Sequence, residues 1–69
     1  MTVMPLVEVT LVEGRTPDQL RTLISRLTAA VVDSVGAPKE NVRVVLREVP
    51  GTHWAAGDVT IEERRERRA

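Results

Sequence analysis

Residues 5–16 read PLVEVTLVEGRT, and this stretch decides the fold. Over residues 6–12, apolar and mostly β-branched residues alternate with Glu8 and Thr10, which predicts a strand. Both ends of that strand are also apolar, so we expect it to be covered on both faces. The triplet EGR at residues 13–15 then ends the alternation.

A long amphipathic helix is predicted next. Thr16 is a good N-cap, Pro17 suits the first helical position, and Gln19 stands where a capping box has Glu or Gln. Apolar residues then recur at three- and four-residue spacing and form one stripe: Leu20, Leu23, Ile24, Leu27, Val31 and Val35. Gly36 and Pro38 predict that the helix ends at residue 36.

The remaining chain predicts a second strand and a small C-terminal unit. Alternation indicates a strand over residues 41–49, and a strand, a helix and a strand form a β-α-β unit with parallel strands and a right-handed crossover. Residues 50–51 form a turn, residues 52–58 are loop-like, and residues 59–61 could pair as a short C-terminal hairpin. Residues 62–69 are predicted to be a solvated, partly frayed end. The fold class is therefore α+β.

Size and composition predict an oligomer. The chain has 69 residues, no cysteine and a single histidine, His53. It is one domain with a modest core, without disulfides, thiolate metal sites or a zinc site, and we expect no metal. Two strands and one helix cannot cover both sheet faces, and open edges invite pairing with another chain. A symmetric assembly that completes the sheet is the expectation.

Composition also excludes several classes of partner. Trp54 is the only aromatic residue and the net charge is zero, which disfavours base stacking and binding to phosphate backbones. The longest apolar runs are far short of the roughly 20 residues of a membrane span, and residues 1–12 do not resemble a signal peptide. We therefore expect a cytoplasmic protein without nucleic-acid or membrane partners.

Two arginines and the tryptophan are the first candidates for a binding site. Arg15 follows the first strand and Arg43 stands near the start of the second, and a guanidinium group binds carboxylates in bidentate fashion. Both could equally be ordinary surface residues, although a charge among apolar neighbours at Arg43 needs a partner, water or a ligand. Trp54 is a packing anchor or a wall for a substrate. The arginines of residues 62–69 form an anion-binding patch or, diluted by glutamates, a solvated end.

Pro5 is the candidate for catalysis. An internal proline nitrogen is a tertiary amide, whereas an N-terminal proline is a secondary amine that can act as a base. Apolar surroundings and the guanidinium groups of Arg15 and Arg43 would disfavour the charged amine and lower its pKa towards neutrality, where a general base works best. The same arginines could hold an anionic substrate and stabilise an enolate.

The chain resembles the 4-oxalocrotonate tautomerase family of the tautomerase superfamily. The motifs that carry the resemblance are PLVEVTLVEGRT, the capped helix, GAPKENVRVVLREV and GTHWAAGD, and they extend over residues 5–65. The resemblance implies that Pro5 is the catalytic base and that Arg15 and Arg43 are the functional arginines, with Arg43 reaching the site from a neighbouring subunit. Trp54 stands where the family usually has a phenylalanine.

The resemblance also implies an assembly and a reaction. Subunits of the family pair into a four-stranded sheet and assemble into hexamers, as trimers of dimers. Their reaction is the enol–keto isomerisation of a small 2-hydroxydienoate or 2-oxo acid, without a cofactor. The dehalogenase branch has an arginine where Val12 stands and a glutamate where Ala56 stands, so hydration of haloacrylates is not expected.

Residues 1–4 leave two interpretations open. If Pro5 is the mature N-terminus, the chain is predicted to be an active tautomerase. If residues 1–4 are retained, Pro5 is an amide, and the chain is a silent or weak assembly subunit that could pair with a homologue in a hetero-oligomer. The predicted organisation is an N-terminal extension over residues 1–4, a tautomerase-like domain over residues 5–65 and a charged tail over residues 66–69.

Overall fold

The computed structural model describes the backbone of residues 4–68 and the side chains of residues 4–67. Of the predicted N-terminal extension, residues 1–4, only Met4 lies within the described residues. The elements along the chain are β1 (Leu6–Val12), α1 (Pro17–Val35), a first 3-10 turn (Lys39–Asn41), β2 (Arg43–Val49), a second 3-10 turn (Gly51–His53), β3 (Ala55–Ala56), β4 (Val59–Thr60) and α2 (Ile61–Arg68).

Strands β1 and β2 form a parallel pair connected through α1. Leu6 is paired with Arg43 at one end of the register, and Val12 is paired with Val49 at the other. The predicted β-α-β unit with parallel strands is confirmed. We call the edge where both strands begin the amino end of the sheet, and the edge where both strands finish the carboxyl end.

Helix α1 begins and ends where its capping residues predict. The Gln19 backbone N–H donates to Thr16 Oγ1 at 3.1 Å, and the Thr16 backbone N–H donates to Gln19 Oε1 at 2.9 Å, which completes a capping box. Gly36 adopts the left-handed region with φ 71° and donates its N–H to Val32 O at 3.0 Å. Only glycine adopts this conformation at little cost, so the helix ends here.

The core of a single chain is thin. Among the described residues, only Ala37 and Gly51 are buried. On the sheet, Val44 and Leu46 are half-buried, whereas Leu6 is 56% exposed and Val45 is 40% exposed on the other face. The radius of gyration is 15.8 Å, against about 11 Å for a compact domain of this length. A bare sheet face and an extended shape are features of a subunit that packs against further chains.

The second strand begins later than the sequence predicts. A strand over residues 41–49 was expected, but the first 3-10 turn occupies Lys39–Asn41, and β2 starts at Arg43. The Asn41 N–H donates to Pro38 O at 2.9 Å, and the Val42 N–H donates to Lys39 O at 3.2 Å. These turn hydrogen bonds occupy the backbone groups that a strand would have used for its ladder.

The short C-terminal hairpin is confirmed, and it is smaller than expected. Ala55 pairs with Thr60 and Ala56 pairs with Val59 in antiparallel register. The two turn residues have positive φ, 59° at Gly57 and 64° at Asp58, as a two-residue hairpin turn matched to strand twist requires. Strand β4 ends at Thr60, so residue 61 is helical and not part of the predicted strand over residues 59–61.

The prediction of a frayed end over residues 62–69 was wrong. Helix α2 spans Ile61–Arg68, and residue 69 lies outside the described residues. The Glu63 N–H donates to Thr60 Oγ1 at 3.1 Å, and the Thr60 N–H donates to Glu63 Oε1 at 2.8 Å. This second capping box supplies the partners that an exposed helix of this length needs at its start.

Candidate active site

Pro5 lies at the amino end of the sheet, directly before β1, and is half-buried. Its carbonyl oxygen accepts a hydrogen bond of 3.0 Å from the Arg43 backbone N–H. It also lines a groove of about 450 Å³ together with the start of β1 and the second half of α1. The α1 residues of this groove are Leu27, Ala30, Val31, Ser34 and Val35. The surroundings of Pro5 are therefore mainly apolar.

Arg43 lies beside Pro5 in the same chain. It is the first residue of β2, and its exposed guanidinium donates from Nη1 to Glu40 O at 2.8 Å. A guanidinium has five N–H donors, so this contact leaves most of them available to an anion. Within one chain Arg43 meets Pro5 through the backbone, and the contribution of its side chain to a neighbouring subunit's site stays a prediction.

Arg15 lies past the opposite end of the sheet. It is exposed in the loop between β1 and α1. Strand β1 has seven residues, and at about 3.3 Å per residue it separates Arg15 from Pro5 by roughly 20 Å. One chain therefore does not bring Arg15 and Pro5 together.

Trp54 follows the same end of the sheet as Arg15. The Glu13 N–H donates to Val49 O at 2.9 Å, which joins the carboxyl ends of β1 and β2. Trp54 comes after the second 3-10 turn, is 38% exposed, and accepts a hydrogen bond of 2.9 Å from the Ile61 N–H at its carbonyl. The four predicted site residues thus fall into two pairs: Pro5 with Arg43 at the amino end, and Arg15 with Trp54 beyond the carboxyl end.

Sequence reasoning missed the contacts that α2 makes with the Trp54 region. Arg64 Nη2 donates to Ala56 O at 3.4 Å, and α2 packs on the second 3-10 turn. The sequence did contain a signal, because Thr60 and Glu63 have the S/T-x-x-E spacing of a capping box. Hydrogen bonds from the backbone and the side chain of Thr60 lower the pKa of Glu63, and the charge of Arg67 adds to the effect.

The bare sheet face has an ion pair at its centre. Arg47 Nη1 lies 2.8 Å from Glu8 Oε2, and both side chains are about half exposed. Because both groups are solvated, the pair contributes less than about 1 kcal/mol to the stability of an isolated chain. Within one chain, the carboxylate of Glu8 is therefore paired across the two strands with Arg47.

No group of three or more His, Cys, Asp or Glu side chains in residues 4–67 is placed to hold a metal ion. Neither helix of the described chain is long and apolar enough to span a membrane.

Comparison with known proteins identifies the family. The profile of the family described as Tautomerase enzyme matches residues 5–64. A probable tautomerase of Ralstonia nicotianae is 52% identical over 56 residues, which is 81% of this chain and 80% of that protein. The 2-hydroxymuconate tautomerase of Comamonas testosteroni is 38% identical over 60 residues, covering 87% of this chain and 95% of that protein.

Solved structures agree with the sequence relatives. TomN, a 4-oxalocrotonate tautomerase homologue in the tomaymycin biosynthetic pathway, superposes with a TM-score of 0.91 at 42% identity, over 94% of this chain and 100% of that chain. A heterohexamer 4-oxalocrotonate tautomerase from Chloroflexus aurantiacus superposes with a TM-score of 0.84 at 37% identity, over 87% of this chain and 97% of that chain. The chain belongs to the 4-oxalocrotonate tautomerase family of the tautomerase superfamily.

Proposed function

We propose that this protein is a cofactor-independent tautomerase that converts a small 2-hydroxydienoate, or a related enol acid, into the conjugated ketone. The observation that carries the proposal is the position of Pro5, half-buried at an apolar groove with Arg43 hydrogen-bonded to its carbonyl. In that place an N-terminal proline amine would be the general base. The family membership supports the reaction class, and the name 2-hydroxymuconate tautomerase belongs to a relative.

The reaction needs one group that both accepts and returns a proton. The Pro5 nitrogen, once N-terminal, accepts the proton of the enol hydroxyl and delivers it to a carbon of the conjugated chain, so that the enol becomes a ketone with no net change in composition. The apolar groove disfavours the protonated amine and lowers its pKa towards neutrality. Guanidinium groups supply the charge that holds the carboxylate and stabilises the intermediate enolate.

A complete site requires at least two chains. Arg15 lies roughly 20 Å from Pro5 along β1, so the Arg15 that contributes to the site of a given Pro5 comes from another subunit. A two-fold axis across the strands places the amino end of one sheet against the carboxyl end of its partner. Such a dimer brings Pro5 of one subunit towards Arg15 and Trp54 of the other, twice, and the guanidinium of Arg43 reaches the site from a neighbouring subunit, as the resemblance to the family implies. Assembly into a homohexamer built from such dimers is part of the proposal.

A second function is favoured by one specific observation. In this sequence Met4 precedes Pro5, and in that form the Pro5 nitrogen is an amide. A chain that keeps residues 1–4 would be a silent or weak subunit, assembled with a catalytic homologue. The relative from Chloroflexus aurantiacus is a heterohexamer, which shows that a related fold supports mixed assembly.

The test compares two preparations, one beginning at Met1 and one beginning at Pro5, in the ketonisation of a simple 2-hydroxydienoate followed by ultraviolet absorbance. The proposal predicts turnover by the form that begins at Pro5 and little turnover by the form that begins at Met1. Equal turnover by both would remove Pro5 as the base. Absence of turnover in both would favour the assembly-subunit function.

A further inference from the structure

Helix α2 has almost no apolar surface with which to bind the rest of the chain. Its sequence is IEERRERR, so Ile61 is its only apolar residue. A helix that is polar on all sides needs polar contacts or capping to keep its place. The contacts that α2 makes are therefore informative, and they converge on the segment that contains Trp54.

Two backbone carbonyl groups in the segment that contains Trp54 accept hydrogen bonds from α2. The Ile61 N–H donates to the carbonyl of Trp54 at 2.9 Å, and the Arg64 guanidinium donates to the carbonyl of Ala56 at 3.4 Å. The first contact fixes Trp54 itself, and the second fixes the hairpin strand that follows it. Ile61 and Arg64 are three residues apart, so they lie on one side of the helix.

The turn before Trp54 is also in close contact with α2. A Cβ atom at the buried Gly51 would lie 3.2 Å from Glu62 Oε2 and 3.4 Å from the Glu62 backbone nitrogen. Glycine thus permits the approach of the helix to the second 3-10 turn. Helix α2 therefore contacts both the turn that precedes Trp54 and the hairpin that follows it.

The hairpin needs this support. Strands β3 and β4 have two residues each, and isolated two-stranded hairpins are marginal in water. Without α2, the segment after Trp54 would keep mainly these few ladder hydrogen bonds and the contact of β4 with the second 3-10 turn. The position of the indole would then vary.

We propose that α2 positions Trp54 for substrate binding and that Arg64 is the positioning residue that ties the helix to the Trp54 hairpin. The proposal rests on the proposed function, in which Trp54 is a wall of the substrate site. It assigns a role to the arginine-rich C-terminal segment, which the reaction itself does not use. Arg64 acts through Trp54 and the hairpin and does not contact the reacting atoms.

The experiment uses Trp54 as its own reporter. Trp54 is the only aromatic residue of the chain, so the intrinsic indole fluorescence of the protein comes from this position alone. The variants are Arg64→Ala, Arg64→Lys, and Arg65→Ala as a matched control, because Arg65 makes no hydrogen bond or ion pair with its side chain within residues 4–67. Quenching by acrylamide, a neutral molecule, measures the accessibility of the indole without any effect of the charge change.

The expected result separates the variants. R64A increases acrylamide quenching, shifts the emission to longer wavelength, and raises KM by about threefold to tenfold with a smaller change in kcat. R64K, which keeps one donor and the charge, recovers part of both changes, and R65A behaves as the parent protein. KM is measured on the form that begins at Pro5, and quenching is measured on that form and on the form that begins at Met1.

Equal quenching and equal KM for R64A and R65A would overturn the proposal. An increase of both in R65A as well would also overturn it, because the effect would then belong to total charge and not to the Arg64 contact. The quenching readout does not depend on turnover. If the parent protein has no tautomerase activity, the proposed function fails, and the fluorescence data still decide whether Arg64 holds Trp54 in place.

Discussion

The two ends of the sheet differ in which predicted site residues they carry and in the secondary structure that holds those residues. The amino end places Pro5 beside Arg43 through one backbone hydrogen bond of 3.0 Å, within a rigid parallel ladder. The carboxyl end is followed by Arg15 in an exposed loop and by Trp54, which adjoins a hairpin of two-residue strands and the polar helix α2. Pro5 is thus joined to the sheet itself, whereas Trp54 lies in a segment outside the sheet.

Because of this difference, one chain does not bring the four predicted site residues together. A parallel sheet puts the starts of both strands at one edge and the ends of both strands at the other, so no side chain at one end reaches the other. A two-fold axis brings the amino end of one subunit to the carboxyl end of the other. Each contact is then formed twice, because both subunits use the same interface residues. The exposed Leu6 and Val45 mark a surface for such contacts. Four substitutions test the contribution of each part, from the largest expected effect to the smallest, and a fifth prediction concerns the pH dependence of the last part.

The largest effect is expected at the amino end. Replacing Pro5 by Ala in the form that begins at residue 5 exchanges the secondary amine, held in place by its ring, for a primary amine that is free to rotate. The base is then no longer positioned, and kcat should fall by about 100- to 10,000-fold, the usual contribution of a positioned general base. Stopped-flow absorbance with a 2-hydroxydienoate measures the change. A matched control is Pro17→Ala, which replaces a proline at the start of α1. A kcat within a few-fold of the parent value would contradict the role of Pro5.

Substitution of Arg15, beyond the carboxyl end, should cause a smaller loss of activity. Arg15→Ala removes a charge partner of the substrate carboxylate, and kcat/KM should fall by about 30- to 700-fold. The control is Arg26→Ala, which removes an exposed arginine from α1. An unchanged kcat/KM in R15A, or an equal loss in R26A, would show that Arg15 does not bind the substrate.

A substitution on the bare sheet face should weaken the association of subunits more than it changes the reaction. Val45→Asp places a charge on the face opposite α1, next to Glu8 in the register. Loss of one buried aliphatic contact should weaken association by about 10- to 100-fold, and sedimentation equilibrium measures the dissociation constant. Thr22→Asp, on the exposed side of α1, is the control for added charge. An unaltered dissociation constant in V45D would mean that other surfaces join the chains.

The smallest effect is expected at the capping box of α2. Thr60→Ala removes the acceptor for the Glu63 N–H, and the loss of an N-cap costs about 1 kcal/mol of helix stability. Thr10→Ala, at an exposed position of β1, is the control. Hydrogen exchange at the amides of α2 should accelerate in T60A and stay at the parent rate in T10A. Equal exchange in all three proteins would mean that the cap does not hold the helix.

The same capping box gives a pH dependence with a definite sign. The pKa of Glu63 is lowered in the folded chain by the hydrogen bonds from Thr60. A lowered pKa means that the ionised cap stabilises α2 above the ordinary carboxyl pKa and that this stabilisation is lost as the pH falls through the folded value. Helix content and Trp54 emission should therefore change on the acid side in the parent protein, and E63Q should flatten that transition. An identical acid transition in E63Q would assign it to another group.

Much of the fold could be predicted from local chemistry. The capping box of Thr16 and Gln19 with the stop at Gly36 defined α1, and alternation defined β1, because these signals act over a few residues. The start of β2 was misplaced, since the turn hydrogen bonds made by Asn41 and Val42 depend on where the chain leaves α1. The helix at Ile61–Arg68 was not predicted, because its arginines and glutamates are also typical of a solvated end and its local helix signal is confined to the capping box that begins at Thr60.

The residues of the candidate site could be predicted, and so could part of their placement. Pro5, Arg15, Arg43 and Trp54 follow from the resemblance to the family, and the predicted parallel strands already put Pro5 and Arg43 at strand starts and Arg15 after a strand end; the separation of the two ends in one chain was not drawn from them. That separation follows from the parallel register of β1 and β2. Whether the residues at the two ends come together depends on the interface between subunits, and the sequence pattern of one chain does not define that interface.

Complementation between two inactive variants tests the shared site most directly. Chains carrying Pro5→Ala are mixed with chains carrying Arg15→Ala, both beginning at residue 5, after reversible dissociation and reassembly. If each site takes Pro5 from one chain and Arg15 from another, some sites of the mixed assembly contain both intact residues, and activity should rise well above that of either variant alone. If the mixture is only as active as the average of the two variants, Pro5 and Arg15 do not form a site across the subunit boundary, and the account is wrong.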